Sequence, residues 1–159
     1  METKSEIYAR VGQEIAAVIE GEPTRTARYA TAACLLSEAF EDFYWTGFYL
    51  VDPHREAQLV VGPYQGTLGC LRIDFKRGVC GAAARLGETI IVDNVHEFEG
   101  HIACDSATNS EIVVPVFDES GTLVAVLDVD STKLSTFDAE DKAGLEAICA
   151  TLLAGCQHP

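Results

Sequence analysis

The order in which two periodicities follow one another limits the folds open to this chain: helical spacing governs both ends, and β-type composition governs the middle. "TKSEIYARVGQEIAAVIEGEP" opens on Thr3 with Glu6 three residues later, the side-chain pattern of a capping box. Ile7, Val11, Ile15 and Val18 then recur at helical spacing until "GEP" at 21–23 stops the segment. A second helix is expected over 24–40, with Tyr29, Ala33, Leu36 and Phe40 on one face. The last helix begins near Thr136, with Asp138, Glu140 and Asp141 where the helix dipole favours acids. It carries a stripe of Leu145, Ile148, Cys149, Leu152, Leu153 and Cys156. Between these ends lie "YWTGFYLVD", "AQLVVG", "CLRIDF", "TIIVDN", "EIVVPVFD" and "TLVAVLDVDS", each rich in β-branched or aromatic residues and bounded by turn residues. "VDPHRE" and "DESG" have hairpin-loop composition, and only "GVCGAAARLGE" interrupts the strands with a short helical piece. Strands grouped between helices, not alternating with them, predict an α+β domain over 1–159. Its mainly antiparallel sheet has about six strands, with the terminal helices packed on one face.

Charge and segment length exclude several functions. Eleven basic residues against 25 acidic ones give a net charge of −14, which repels phosphate backbones and anionic lipid and argues against nucleic-acid or membrane partners. A small cationic or zwitterionic ligand is compatible with it. The longest apolar runs are too short to span a bilayer, and the acidic, amphipathic N-terminus lacks the basic and apolar regions of a signal peptide, so a cytoplasmic location is expected.

Six cysteines stand at positions 34, 70, 80, 104, 149 and 156. In a reducing compartment they do not read as a permanent disulfide framework, and without any C-x-x-C or H-x-x-x-H pair no metal site is expected; zinc, to which "HIAC" offers two ligands one helical turn apart, is a weak third alternative. Cys149 and Cys34 lie in helical, Ala/Leu-rich contexts and read as small buried hydrophobes. Cys70, Cys80 and Cys104 instead sit at segment boundaries, in "GTLGC", "RGVCG" and "HIACDS". Three thiols in such contexts point to redox or nucleophilic work, which requires a thiolate. His101, three residues before Cys104, reads equally well as its activator or as a loop histidine capping a turn.

Carboxylates and aromatics form two further groups. Asp128 and Asp130 interrupt an apolar strand and, at period two, face the same side. They read either as the solvent face of an edge strand or, with Glu111 at the start of "IVVPV", as an acidic pocket suited to an ammonium group. Trp45, Gly47 and Tyr49 share a strand face, where the glycine leaves room between two rings. They read as core packing or as the wall of a small apolar pocket. Phe43 and Phe48 read as core.

Taken together, "WTGFYL", "VVGPYQG", Cys70-x9-Cys80 with "GVCG", "GHIACDSATNSEIVVPV" and "VLDVDS" resemble the free methionine-(R)-sulfoxide reductases, which are built on a GAF domain. The resemblance spans roughly residues 5–155. It departs at Glu99, where the family often has proline, and in the "DFKRGVCG" segment. It implies a GAF-like fold and reduction of free L-methionine-(R)-sulfoxide without a cofactor. Cys104 would be the nucleophile, left as a sulfenic acid. Cys70 would be the main resolving thiol, with Cys80 as an alternative, and thioredoxin would reduce the resulting disulfide. Glu111, Asp128 and Asp130 would hold the substrate's amino group, one of them, if protonated, assisting departure of the sulfoxide oxygen, and Trp45 and Tyr49 would wall its methyl-sulfur end. A homodimer is likewise implied by the resemblance alone, and His101 moves toward the loop reading. A non-enzymatic GAF module that binds a small ligand or senses oxidants is the alternative.

Overall fold

Thr3 caps the first helix as its spacing predicts. Its hydroxyl accepts from the Glu6 backbone N–H while the Glu6 carboxylate accepts from the Thr3 N–H. The computed structural model describes residues 1–102 and 104–159. In chain order these form α1 (Lys4–Ile19), α2 (Arg25–Ala39), β1 (Trp45–Val51), β2 (Gln58–Gln65), β3 (Arg72–Asp74), α3 (Gly78–Leu86), β4 (Ile90–Val92), a 3-10 turn (Val95–Glu97), β5 (Ser110–Phe117), β6 (Leu123–Ser131) and α4 (Ala139–Leu152). All six expected strands form. They make one sheet in the order β3-β2-β1-β6-β5-β4, every neighbouring pair antiparallel.

The central strands are covered on both faces, which explains why "EIVVPVF" and "TLVAVL" lack alternating polar residues. On one face α1, α2 and α4 pack against Phe48, Ile112, Val114, Val116, Leu127 and Val129. On the other, α3 and the loops beside it cover Trp45, Tyr49, Val113 and Val126 through Val79, Cys80 and Ala83. No helix among the described residues is long and apolar enough to cross a membrane.

Several details differ from the pattern read along the chain. The buried stripe of α1 is Tyr8, Val11, Ile15 and Ile19, while Val18 is exposed. In α2, Arg28 is buried beside Tyr29. Its guanidinium donates to the carbonyls of Leu152 (2.9 Å) and Ala154 (2.7 Å), closing the C-terminal end of α4. Cys34 is half-buried, its thiol 3.7 Å from the Glu38 carboxylate, and not a core hydrophobe. Cys156 lies beyond α4, while Cys149 is buried as expected. Phe43 and Phe48 are core residues.

Candidate active site

Strand register assembles the acidic group. Glu111 on β5 lies opposite Asp130 on β6, which lies opposite Trp45 on β1; one row further, Val113, Asp128 and Gly47 stand in line. Residues two apart share a face, so Glu111, Asp128 and Asp130 converge beneath α3 on the sheet face opposite the helical layer. Asp128 and Glu111 are 5% and 6% exposed, which removes the solvent-face reading of the β6 acids. Asp130 is only half-buried as a residue, yet its Oδ1 is shut off from water. That oxygen and Asp128 Oδ1 have no hydrogen-bond partner among the described residues.

Burial of three carboxyls in contact is costly when all are charged. Burial first, and then the neighbouring charges of Asp128 and Asp130, pushes the Glu111 carboxyl well above its ordinary range. Burial also raises Asp128, partly opposed by hydrogen bonding, and raises Asp130 strongly with help from the Asp128 charge. The group therefore holds fewer negative charges than carboxyls. It can carry a proton and still present acceptor oxygens to a cation.

Cys80 belongs to this cluster and not to a loop edge. It is the third residue of α3, 4% exposed, with its sulfur and single oxygens of Glu111 and Asp128 all within 4.8 Å of one another. Burial and the three acids push its thiol well up, so it stays neutral. One soft thiol and two carboxylates could also hold a divalent cation. The two orphaned oxygens suit an ammonium equally, because both ligands are hydrogen-bonded or coordinated by carboxylates.

The other two cysteines meet at the mouth of the pocket. Cys70 and Cys104 form a disulfide, with Cα atoms 5.6 Å apart across 34 residues of sequence; Cys104 is exposed and Cys70 half-buried. The pocket, open to solvent at its mouth and narrow within, runs from Cys104 inward to Glu111, Asp128 and Asp130. Trp45 and Tyr49 line one side, and Ile73, Val79 and Ile102 line the others. The room left by Gly47 is not an empty slot. A side chain there would overlap Tyr64 and come within 2.8 Å of the Trp45 ring. Trp45 instead lies between Tyr49 and Tyr64, with ring centroids at 5.6 and 4.9 Å, and its indole N–H donates to the Thr67 carbonyl at 2.8 Å. Gly69 performs the comparable service from the loop, since a Cβ there would stand 2.8 Å from Trp45.

His101 lines the same pocket, but burial and nearby His96 lower its pKa. A neutral imidazole does not depress a thiol's pKa as an imidazolium does. Its backbone N–H bonds to Phe98 at 3.2 Å in a turn, in keeping with the loop reading.

Sequence reasoning missed one polar contact set. Asp105, next to Cys104, accepts from the hydroxyls of Thr67 (2.6 Å) and Tyr44 (2.8 Å) and from the Ala107 N–H (2.8 Å). These bonds hold its carboxyl below the ordinary carboxylate range, so it is ionised. The aspartate is visible in "HIACDS", but nothing local marks partners 38 and 61 residues away.

Comparison with known proteins fits this arrangement. The GAF domain profile matches residues 22–154. The chain is 42% identical to the free methionine-R-sulfoxide reductase of Escherichia coli, over 94% of this chain and 88% of that protein. It is 36% identical to the Saccharomyces cerevisiae free methionine-R-sulfoxide reductase, over 96% and 87%. The structure of the Neisseria meningitidis free methionine-R-sulfoxide reductase in complex with its substrate superposes with a TM-score of 0.91 at 42% identity, covering 98% of this chain and 91% of that one. With two thirds or more of each relative matched and the fold the same throughout, the chain belongs to the GAF-domain family of free methionine-R-sulfoxide reductases.

Proposed function

We propose that this protein reduces free methionine-(R)-sulfoxide to methionine, with Cys104 as nucleophile and Cys70 as resolving thiol. The observation that carries this reading is the pairing of two buried carboxylate oxygens, on Asp128 and Asp130, that have no hydrogen-bond partner among the described residues, with a Cys70–Cys104 disulfide at the mouth of the same pocket. In the reduced protein the Cys104 thiolate attacks the sulfoxide sulfur. A protonated carboxyl of the Glu111–Asp128–Asp130 group donates to the sulfoxide oxygen, for which raised carboxyl pKa values are required. Methionine leaves two electrons richer and the oxygen remains on Cys104 as a sulfenic acid. Cys70 then attacks the Cys104 sulfur, the S–O bond breaks, and oxygen departs as water as the disulfide closes. Cys80, buried and neutral, is the poorer resolving thiol because exchange needs a thiolate.

The deep acids set the substrate class. A free amino acid brings an ammonium to satisfy them, whereas a peptide-bonded methionine brings an uncharged amide and leaves buried acceptors unpaired. The Trp45–Tyr49 wall faces the methyl-sulfur end. Reduction of the exposed disulfide by thioredoxin completes the cycle, and a single domain working as a homodimer in the cytoplasm belongs to the same reading.

The test compares free and peptide-bound methionine sulfoxide as separate R and S epimers, with dithiothreitol and with thioredoxin as reductant. Methionine should form from the free R epimer alone, and Cys104→Ser should lower kcat by at least about a thousandfold, as expected when a covalent nucleophile is lost. Wild-type turnover by Cys104→Ser would remove Cys104 from the chemistry. Tight ligand binding without any turnover would favour the non-enzymatic alternative.

A further inference from the structure

The sheet order makes the meeting of Cys70 and Cys104 a problem in loop placement. Cys70 lies in the loop 66–71 after β2, and Cys104 lies in the loop 104–109 that leads into β5. β1 and β6 stand between those strands, so the loops leave the sheet three strand spacings apart, about 14 Å. Their cysteine Cα atoms are nevertheless 5.6 Å apart. Both loops must therefore lean across the ends of β1 and β6 before the thiols can react.

The only charged group bridging that gap among the described residues is Asp105. Oδ2 takes the hydroxyl of Thr67 from the Cys70 loop and the hydroxyl of Tyr44, while Oδ1 takes the Ala107 N–H and tightens its own loop. Tyr44 is a fixed post, because its backbone N–H donates to the Asp130 carbonyl at 2.9 Å at the sheet end. Thr67 is held in turn by the Trp45 indole on its carbonyl. A charged acceptor between two hydroxyls makes stronger bonds than a neutral one, and here it stands one residue from Cys104.

We propose that Asp105 is a positioning residue for disulfide closure: with Thr67 and Tyr44 it clips the Cys104 loop to the Cys70 loop, raising the effective concentration of Cys70 at the Cys104 sulfur. The clip acts on the resolving step and leaves the attack on the sulfoxide alone. Its role in turnover rests on the reductase reading above; its effect on the disulfide does not. In the step it serves, the Cys70 thiolate sulfur bonds to the sulfur of the Cys104 sulfenic acid. The S–O bond breaks, and the oxygen leaves as water after taking up a proton.

The test removes the donors first. In a Thr67→Val, Tyr44→Phe double variant, a single turnover with free methionine-R-sulfoxide should yield methionine at the wild-type rate. Disulfide closure should slow at least tenfold, so that dimedone traps the Cys104 sulfenic acid by mass spectrometry. Asp105→Asn, which keeps the side chain's shape, should slow closure in the same direction. Closure at the wild-type rate in both proteins sinks the proposal, as does a fall in methionine formation equal to the fall in closure. A glutathione titration of the Cys70–Cys104 couple reads the same clip without substrate. A tenfold loss of effective concentration makes the potential about 30 mV less negative, and an unchanged potential in all variants overturns the clip. If wild type forms no methionine while the potentials still shift, it is the reductase reading that fails.

Discussion

Asp128 shows how much one side chain can owe to its surroundings. It is an aspartate in an apolar strand, buried, raised in pKa, with one oxygen satisfied by nothing among the described residues. A charged hydrogen bond is worth about 1.5–3 kcal/mol, roughly a 10- to 150-fold change in affinity. Asp128→Asn keeps the shape and loses the charge, so KM for the free sulfoxide should rise within that range while kcat changes less. An unaltered KM would place the ammonium elsewhere. Period two along "VLDVDS" was enough to put Asp128 and Asp130 on one face. Whether that face met solvent was not legible, because burial depends on α3, 40 and more residues upstream, folding over it. The burial of Cys80 is illegible for the same reason: "GVCGAAARLGE" reads as a short helical piece, but nothing local says that its first turn packs onto the acids.

At the scale of elements, the helical layer is fastened by a joint between α1 and α4. Asp141 is 1% exposed. Its Oδ1 accepts from the Tyr8 hydroxyl at 2.7 Å, and its Oδ2 accepts from Lys4 Nζ at 2.8 Å and the Asp138 N–H at 2.9 Å. The same residue thus serves the α4 capping box and ties the two helices together. Tyr8→Phe, which leaves one of the three donors missing, should cost about 1–2 kcal/mol of unfolding free energy. Asp141→Ala, which leaves a buried Tyr hydroxyl and a cap unsatisfied, should cost about 2–4 kcal/mol. Denaturant melts check both, and equal losses would mean that the hydroxyl bond alone matters. The α1 capping box is readable because its two members stand only three residues apart; the Asp138–Asp141 box of α4, read as acids favoured by the helix dipole, is a finding of the structure. The spacing puts Ile7 and Val18 on the α1 stripe; Ile7 packs at the edge of the core, but Tyr8 and Ile19 are the buried residues and Val18 is exposed. Both sets fit a 3.6-residue period around Val11 and Ile15, and only the position of α4 and α2 selects between them.

For the molecule as a whole, the buried acids put a slope on stability. Glu111 and Asp130 have folded pKa values above their ordinary 4.5 and 3.8. The folded protein therefore binds protons that the unfolded chain gives up, and stability is full below those ordinary values and falls as pH rises toward the folded ones. Asp52, Asp105, Asp118 and Asp138, lowered by their hydrogen bonds or ion pairs, act oppositely and have given their full contribution by about pH 5. Between pH 5 and 8 wild type should lose up to about 1.4 kcal/mol per pH unit for each proton retained. Glu111→Gln should show a shallower decline. Taking the difference between the two proteins at each pH cancels the opposing contribution of His101, whose pKa burial lowers. Parallel curves would mean that Glu111 ionises freely. What the sequence determined by itself is what depends on neighbours a few residues away: the capped helices, six strands with their turns, antiparallel grouping, and the shared face of Asp128 and Asp130. The tertiary structure alone decided that Glu111 and Asp128 are buried, that one oxygen each of Asp128 and Asp130 has no hydrogen-bond partner among the described residues, that Cys80 lies among these acids, and that Asp105 joins two loops rooted three strands apart. Those properties are set by distances through space between segments that the chain separates by tens of residues, and no local period carries that information.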